Sequence, residues 1–288
     1  MLITEFHKLY RENGLSPEVI NTFQKIIYSY FKQHGREFPF RNDITPYNVL
    51  VSEIMLQQTQ TGRVTEKFLQ FKNKFPDFKA LSNAPLGDVL LAWQGLGYNR
   101  RAIALKNISE LVINEFDGGL PDSVEELKKF PQIGHNTASS IVAFAYNKPV
   151  YFIETNIRRV FIYFFFPKRN KIDDKEILPL VESTLDKKNP REWYYALMDY
   201  GVMLRKTHPE LNKRSAHYRK QAPFKGSDRQ VRGKILKQLL KISESTTIEL
   251  SQKLNVNLNK LKRILLQLEK EGFISIDGSK ISIQKNEI

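Results

Sequence analysis

Over residues 1–222 apolar positions recur at three- and four-residue spacing, and breaks such as Pro76-Asp77, Asn83-Ala84-Pro85, Asp117-Gly118-Gly119 and Asn189-Pro190 separate the runs. This pattern predicts helices of ordinary length, and no segment there alternates as a strand does. Beyond residue 228 the pattern changes. Helices are expected over 231–240, 248–254 and 258–270, with a turn at Asn255-Val256-Asn257 between the last two. Phe273-Ile274-Ser275-Ile276 and Ile281-Ser282-Ile283 then alternate on either side of Asp277-Gly278, a strong hairpin signal. Three helices and a two-stranded wing describe a winged helix-turn-helix, whose third helix can enter a major groove. Here that helix carries Lys260, Lys262 and Arg263, while Leu258, Leu261, Ile264, Leu265 and Leu268 keep the core spacing. The chain therefore divides into a mainly α domain over 1–204, a basic linker over 205–227 and a winged domain over 228–288.

Charge narrows the partners. Lys and Arg number 45 against 31 Asp and Glu, a formal charge of +14, which favours a polyanion because each neutralised phosphate releases counterions. Nucleic acid is the expected partner. No stretch approaches the roughly 20 apolar residues of a spanning helix, and the start has no signal-peptide pattern, so no membrane partner is expected and a cytoplasmic place, on the nucleoid in a prokaryote, is. The chain has no cysteine, which excludes disulfides, thiolate nucleophiles and cysteine-ligated zinc or iron–sulfur clusters.

One helix concentrates candidate chemistry. From Thr45-Pro46, Tyr47, Leu50, Val51, Ile54 and Met55 recur at helical spacing and are expected to face the core, while Val49, Glu53, Leu56, Gln57 and Gln60 share another face. Glu53 thus lies among apolar and amide groups with no basic residue within a turn. Such surroundings raise a carboxyl pKa, as a general acid near neutral pH requires. On spacing alone, an ordinary exposed Glu on an amphipathic helix is the favoured reading.

The run Ser52-Glu53-Ile54-Met55-Leu56-Gln57-Gln58-Thr59-Gln60 resembles the signature of MutY-type adenine DNA glycosylases of the helix-hairpin-helix superfamily. Pro39-Phe40-Arg41 resembles that family's Pro-Trp-Arg element, and Trp93-Gln94-Gly95-Leu96-Gly97-Tyr98 its duplex-wedging loop. Leu127 through Ala138, with Pro131-Gln132-Ile133-Gly134, resembles the helix-hairpin-helix itself, with Gln132 where a second Gly is usual. Similarity runs to about Val202. The resemblance implies two helical subdomains with a cleft, Glu53 as proton donor, and Glu154 in the place of a catalytic aspartate beneath the sugar. Its other reading is a salt bridge to Arg158. Asn136 occupies the position at which strand-cleaving relatives carry a Schiff-base lysine; Ser or Tyr is more usual there in this family.

Further roles follow from the same resemblance. Phe40 would stack on an extruded base with Arg41 and Asp199 at its edge. Gln57, Gln58, Thr59, Leu96 and Tyr98 would meet the duplex, and Gly134 a phosphate. The family's four-cysteine cluster loop would fall at residues 202–221, where basic residues stand instead, so no iron–sulfur cluster and no other metal are expected, with room only for a monovalent cation at the hairpin. A winged helix replaces the family's mutT-like domain. The expected activity is monofunctional hydrolysis of a mispaired adenine, opposite 8-oxoguanine or guanine, in double-stranded DNA by a monomer without lyase activity. Thymine or uracil release from mismatches, and a non-catalytic DNA-binding role, are the alternatives.

Overall fold

Phenylalanines 6, 23, 161, 164 and 165 converge with Trp193 on a common centre. Phe23 meets Phe161, Phe164, Phe165 and Trp193 edge-on, with centroids 5.0–5.7 Å apart, the geometry that aromatic quadrupoles favour. In a computed structural model, which describes residues 3–220 and 223–285, this cluster is the core of one of two compact units. That unit comprises Met1–Val49, Asp122–Lys129 and Ile133–Lys220; the other comprises Leu50–Pro121, Phe130–Gln132 and Gln221–Ile288.

In the first unit the Thr155–Phe165 helix packs on the Pro190–Thr207 and Ile3–Asn13 helices. Gly201 makes the first of these contacts close: a Cβ there would stand 2.5 Å from the Asn156 carbonyl oxygen. A mid-helix glycine costs roughly 0.5–1 kcal/mol relative to alanine, and here it is what lets the two backbones touch. The basic segment is folded in part. Helix continues to Thr207, Leu211 is buried, and Arg214 donates to the Phe166 and Arg169 carbonyls, so residues up to about 216 are held rather than a free connection.

The second unit joins the helices Thr61–Lys74, Phe78–Asn83, Leu86–Trp93 and Arg100–Glu115 to the C-terminal module. That module runs as helix Asp228–Ile242, strand β1 (Glu244–Thr246), helices Thr247–Leu254 and Leu258–Lys270, then β2 (Ile274–Asp277) and β3 (Lys280–Ile283). The antiparallel sheet has the order β1-β3-β2, with Ser245 opposite Ile281 and Ile281 opposite Ile276. Helix, strand, two helices and two strands are the element order of a winged helix. The short β1 escapes sequence alternation because three residues give no period. Leu261, Ile264, Leu265 and Leu268 are buried as their spacing predicts, whereas Leu258, in the first turn, is exposed.

The module is fastened to the helices beside it. Leu240 and Ile283 lie against Gly87 of the Leu86–Trp93 helix. Glu271, just past the third helix, accepts from both Arg100 and Arg232. Partial burial pushes its carboxyl up, but the hydrogen bonds from Arg100 and Arg232 win and hold it at about 2. A carboxyl depressed on folding stabilises the protein above its unfolded pKa and loses that contribution as pH falls through the folded value. Glu271→Gln is therefore expected to lower urea-unfolding stability by about 2 kcal/mol at pH 7, with the gap to the parent protein closing as the pH approaches 2.

Candidate functional site

The Pro46–Leu56 helix starts where Thr45 Oγ1 accepts from the Asn48 amide at 3.1 Å. Tyr47, Leu50, Val51, Ile54 and Met55 are buried, as their spacing predicts, but Asn48, Val49 and Ser52 are buried too. A helix enclosed almost all round is a core element, and its opening to solvent comes at Glu53, Leu56 and Gln57, each half-buried. Glu53 is the single charged residue of this helix.

Its C-terminal end is closed by Arg101, buried to 3% exposure. Arg101 Nη1 donates to the carbonyls of Ile54, Met55 and Gln57 at 2.8, 2.9 and 2.6 Å. Nη2 donates to Thr59 Oγ1 and to the carbonyls of Leu96 and Gly97 at 3.1, 3.3 and 3.0 Å. The guanidinium also lies over the rings of Trp93 and Tyr98. One cation thus ties orphan carbonyls at a helix end to two loops, residues 57–60 and 94–98. Burial lowers its pKa to about 10, so it stays charged at neutral pH.

Both loops carry strain where the tie holds them. Gln58 and Tyr98 are non-glycine residues with φ of 53° and 48°, a left-handed conformation of the kind that concentrates at functional sites. Gln58 lies between the Arg101 acceptors Gln57 and Thr59, and Tyr98 directly follows Gly97. Gln58 is exposed, Tyr98 is 39% exposed, and the Tyr98 hydroxyl accepts from Arg229 of the winged module at 3.1 Å. Leu96, expected at a duplex, is instead buried; its backbone serves Arg101. Sequence reading passed over Arg101, although its spacing with Leu105, Ile108 and Val112 places it on a core face.

In the first unit Glu154 caps the Thr155–Phe165 helix. Its Oε1 accepts from the Asn156 and Ile157 amides at 2.7 and 2.9 Å, and Oε2 from Asn156 Nδ2 at 3.2 Å. Burial pushes its carboxyl above the ordinary glutamate range, against the pull of those amides and of Arg159 and Arg158. Arg158 is not its salt-bridge partner, because that guanidinium is taken up by Asp174 through two 2.6 Å hydrogen bonds. Arg159 braces the same helix start, donating to Asn156 Oδ1 and the Gly201 carbonyl, each at 2.7 Å. Asn136, second residue of the His135–Tyr146 helix, donates to the Ile153 carbonyl at 2.8 Å, one residue before Glu154.

Other expectations change. Asp199 is buried and receives Arg41 at 3.0 Å on each oxygen, the Arg36 amide at 2.7 Å and the Arg36 side chain at 2.8 Å. Those donors fill the roughly four lone-pair sites of a carboxylate, so Asp199 and Arg41 form an internal ion cluster instead of a base edge. Phe40 is buried with its ring stacked on Phe38 at 7°. In the hairpin, the left-handed position is Gln132, with φ of 61°, rather than Gly134. The Gln132 carbonyl accepts from Gln57 Nε2 at 3.4 Å. In the winged module, Lys260 and Arg263 are paired with Asp228 at 3.3 and 2.6 Å, while Lys262 is exposed.

After the Pro190–Thr207 helix the chain offers no thiol, so these residues do not fit a cysteine-ligated cluster. Among the described residues no group of three or more His, Asp or Glu is gathered as a metal site, and no helix is long and apolar enough to cross a membrane.

Arg101→Met keeps much of the side-chain volume but removes a donor from six oxygens, of which the Gly97 carbonyl keeps a second donor, Trp93 Nε1 at 3.1 Å. Expected outcomes are a loss of about 3 kcal/mol in urea unfolding and new protease cleavage within residues 57–60 and 94–98; unchanged cleavage would show that the loops are held by something else.

Residues 51–185 match the model of the HhH-GPD superfamily base excision DNA repair protein. The adenine DNA glycosylase of Buchnera aphidicola subsp. Baizongia pistaciae is 33% identical over 193 residues, 66% of this chain and 55% of that protein. The adenine DNA glycosylase of Mycobacterium tuberculosis (strain CDC 1551 / Oshkosh) is 35% identical over 133 residues, 46% and 44% of the two chains. The chain spans about half the length of these curated relatives. Among solved structures, a thermostable thymine-DNA glycosylase aligns with a TM-score of 0.58 at 24% identity, over 64% of this chain and 86% of that one. An endonuclease III–DNA covalent intermediate aligns at 0.52 and 19%, over 73% and 91%. These likenesses establish a common fold. Residues 51–185 are thus similar to the HhH-GPD superfamily base excision DNA repair protein, and the curated relatives the chain resembles are adenine DNA glycosylases.

Proposed function

We propose that this protein is a monofunctional DNA glycosylase that hydrolyses the N-glycosidic bond of adenine mispaired with 8-oxoguanine or guanine. The observation that carries the reading is the carboxyl of Glu154: capped by two amides at a helix start, its pKa raised by burial, beside an Asn136 that has no amine to offer. A desolvated carboxylate gains most when positive charge develops next to it, which is what an oxocarbenium-like sugar supplies during bond cleavage. Glu53 protonates a purine ring nitrogen and so improves the leaving base. Without a lysine at position 136 no Schiff base forms, and water completes the reaction.

Other features support DNA as the partner. Gly134 is exposed, and nothing lies within 4 Å of the place its Cβ would take. The first amides of the 12-residue His135–Tyr146 helix are thereby open to a phosphate, the ligand a helix N-terminus favours. Gln58 and Tyr98 are the side chains that probe the stack, with Gln57 and Thr59 behind them. Extrusion of a base costs a few kcal/mol and less at a mispair, which gives part of the selectivity. The enzyme works as a monomer and needs no iron–sulfur cluster. The folded residues up to about 216 belong with its catalytic part, the basic residues that follow connect it to the winged module, and 228–288 form an auxiliary domain.

The test is single-turnover incubation with duplexes carrying A, T or U opposite G, C or 8-oxoguanine, followed by alkali. Expected are alkali-labile sites at adenine and no strand cleavage without alkali. Glu53→Gln and Glu154→Gln are each expected to slow release by at least about 10²-fold. Because the folded-state pKa of Glu154 is raised, its ionisation opposes folding at neutral pH and stability is regained as pH falls through that value. Glu154→Gln is therefore expected to flatten the acid-side rise in stability while keeping the fold. Release of T or U in place of adenine, or full activity in either variant, would contradict these roles.

A further inference from the structure

The third helix of the winged module is a poor candidate for its DNA contact, because Asp228 already holds two of its three cations. Another surface of the same module has the opposite character. Lys234, Lys237 and Lys241 recur at intervals of three and four residues on the Asp228–Ile242 helix, and with Lys253 of the Thr247–Leu254 helix they line one cleft. All four are exposed, and none has an ion pair within 4.0 Å among the described residues. The two carboxylates closest in sequence are engaged elsewhere: Glu244 pairs with Lys280 at 3.2 Å, and Glu249 accepts from the Thr246 amide and the Ser245 hydroxyl at the start of its helix. Gln238 lines the same cleft. It is nine-tenths buried, and its Nε2 donor meets no acceptor among the described residues.

Like charges at i, i+4 weaken a helix, and a buried amide donor without an acceptor is unfavourable. A bound row of phosphate oxygens relieves both. We propose that this lysine cleft, rather than the third helix, is the surface by which the winged module holds the DNA backbone. Phosphodiesters are the ligand, contacted without reading sequence. The inference rests on DNA being the substrate, but not on which base is released.

The experiment is fluorescence anisotropy of the full chain on an undamaged duplex of about 30 base pairs across a salt series, so that no chemistry enters the readout. Each phosphate contact adds about 0.9 to the magnitude of the slope of log Kobs against log salt. Changing all four lysines to Ala is expected to reduce that magnitude by about 2 to 4, and changing all four to Arg to preserve it. Changing Lys260, Lys262 and Arg263 to Ala is expected to alter it by less than 1. An unchanged slope in the four-alanine protein overturns the proposal, as does a larger fall from the third-helix variant. Calorimetry with inorganic tripolyphosphate separates the remaining source: tight binding lost in the four-alanine protein, with the DNA slope intact, would assign the cleft to a free polyphosphate and also overturn it.

Discussion

A single buried guanidinium organises the surface on which the functional reading depends. Arg101 meets six oxygens from the end of the Glu53 helix and from two loops, with no carboxylate among them. Its Nε finds no acceptor among the described residues. Neutral partners for a buried cation leave its desolvation only partly offset. The arrangement persists because the same bonds satisfy carbonyls that a helix end and two tight loops would otherwise bury unpaired. It also fixes Gln58 and Tyr98 in left-handed conformations that neither residue favours alone. A flexible pair of loops would lose that geometry; a tied pair presents it ready formed.

The first unit solves a similar problem by different means. Glu154 is positioned by the backbone it caps, and that backbone is positioned by Gly201, whose missing side chain admits Asn156. Arg159 then bridges the two helices through Asn156 Oδ1 and the Gly201 carbonyl. The carboxyl is therefore fixed by helix geometry more than by its own flexible stem. The Glu154 side chain, one methylene longer than an aspartate, still folds back to cap its own helix.

Much of this was legible in the sequence. Helical spacing located the Glu53 helix and its buried positions, and alternation around Asp277-Gly278 located β2 and β3. Periodicity could not see the tertiary partners of charged residues. Arg100 and Arg101 are identical neighbours in the sequence, yet one reaches Glu271 of the winged module and the other is buried beneath two loops. Asp199 and Arg41 looked like base-edge groups because family likeness transfers residue types but not their tertiary partners, here Arg36, which completes the cluster. Leu96 and Leu258 were misplaced for a related reason: exposure of a leucine next to a turn depends on what packs over it.

Glu271, Arg232 and Arg229 extend the same framework into the winged module, so that its first helix reaches Tyr98 directly. Arg101 makes the 57–60 and 94–98 loops one cooperative element. Native-state hydrogen exchange resolved to individual amides tests it most directly. The account predicts that the amides of both loops open with a common free energy, and that Arg101→Met lowers protection in both loops together. Independent opening of the two loops, or loss of protection in only one, would contradict it.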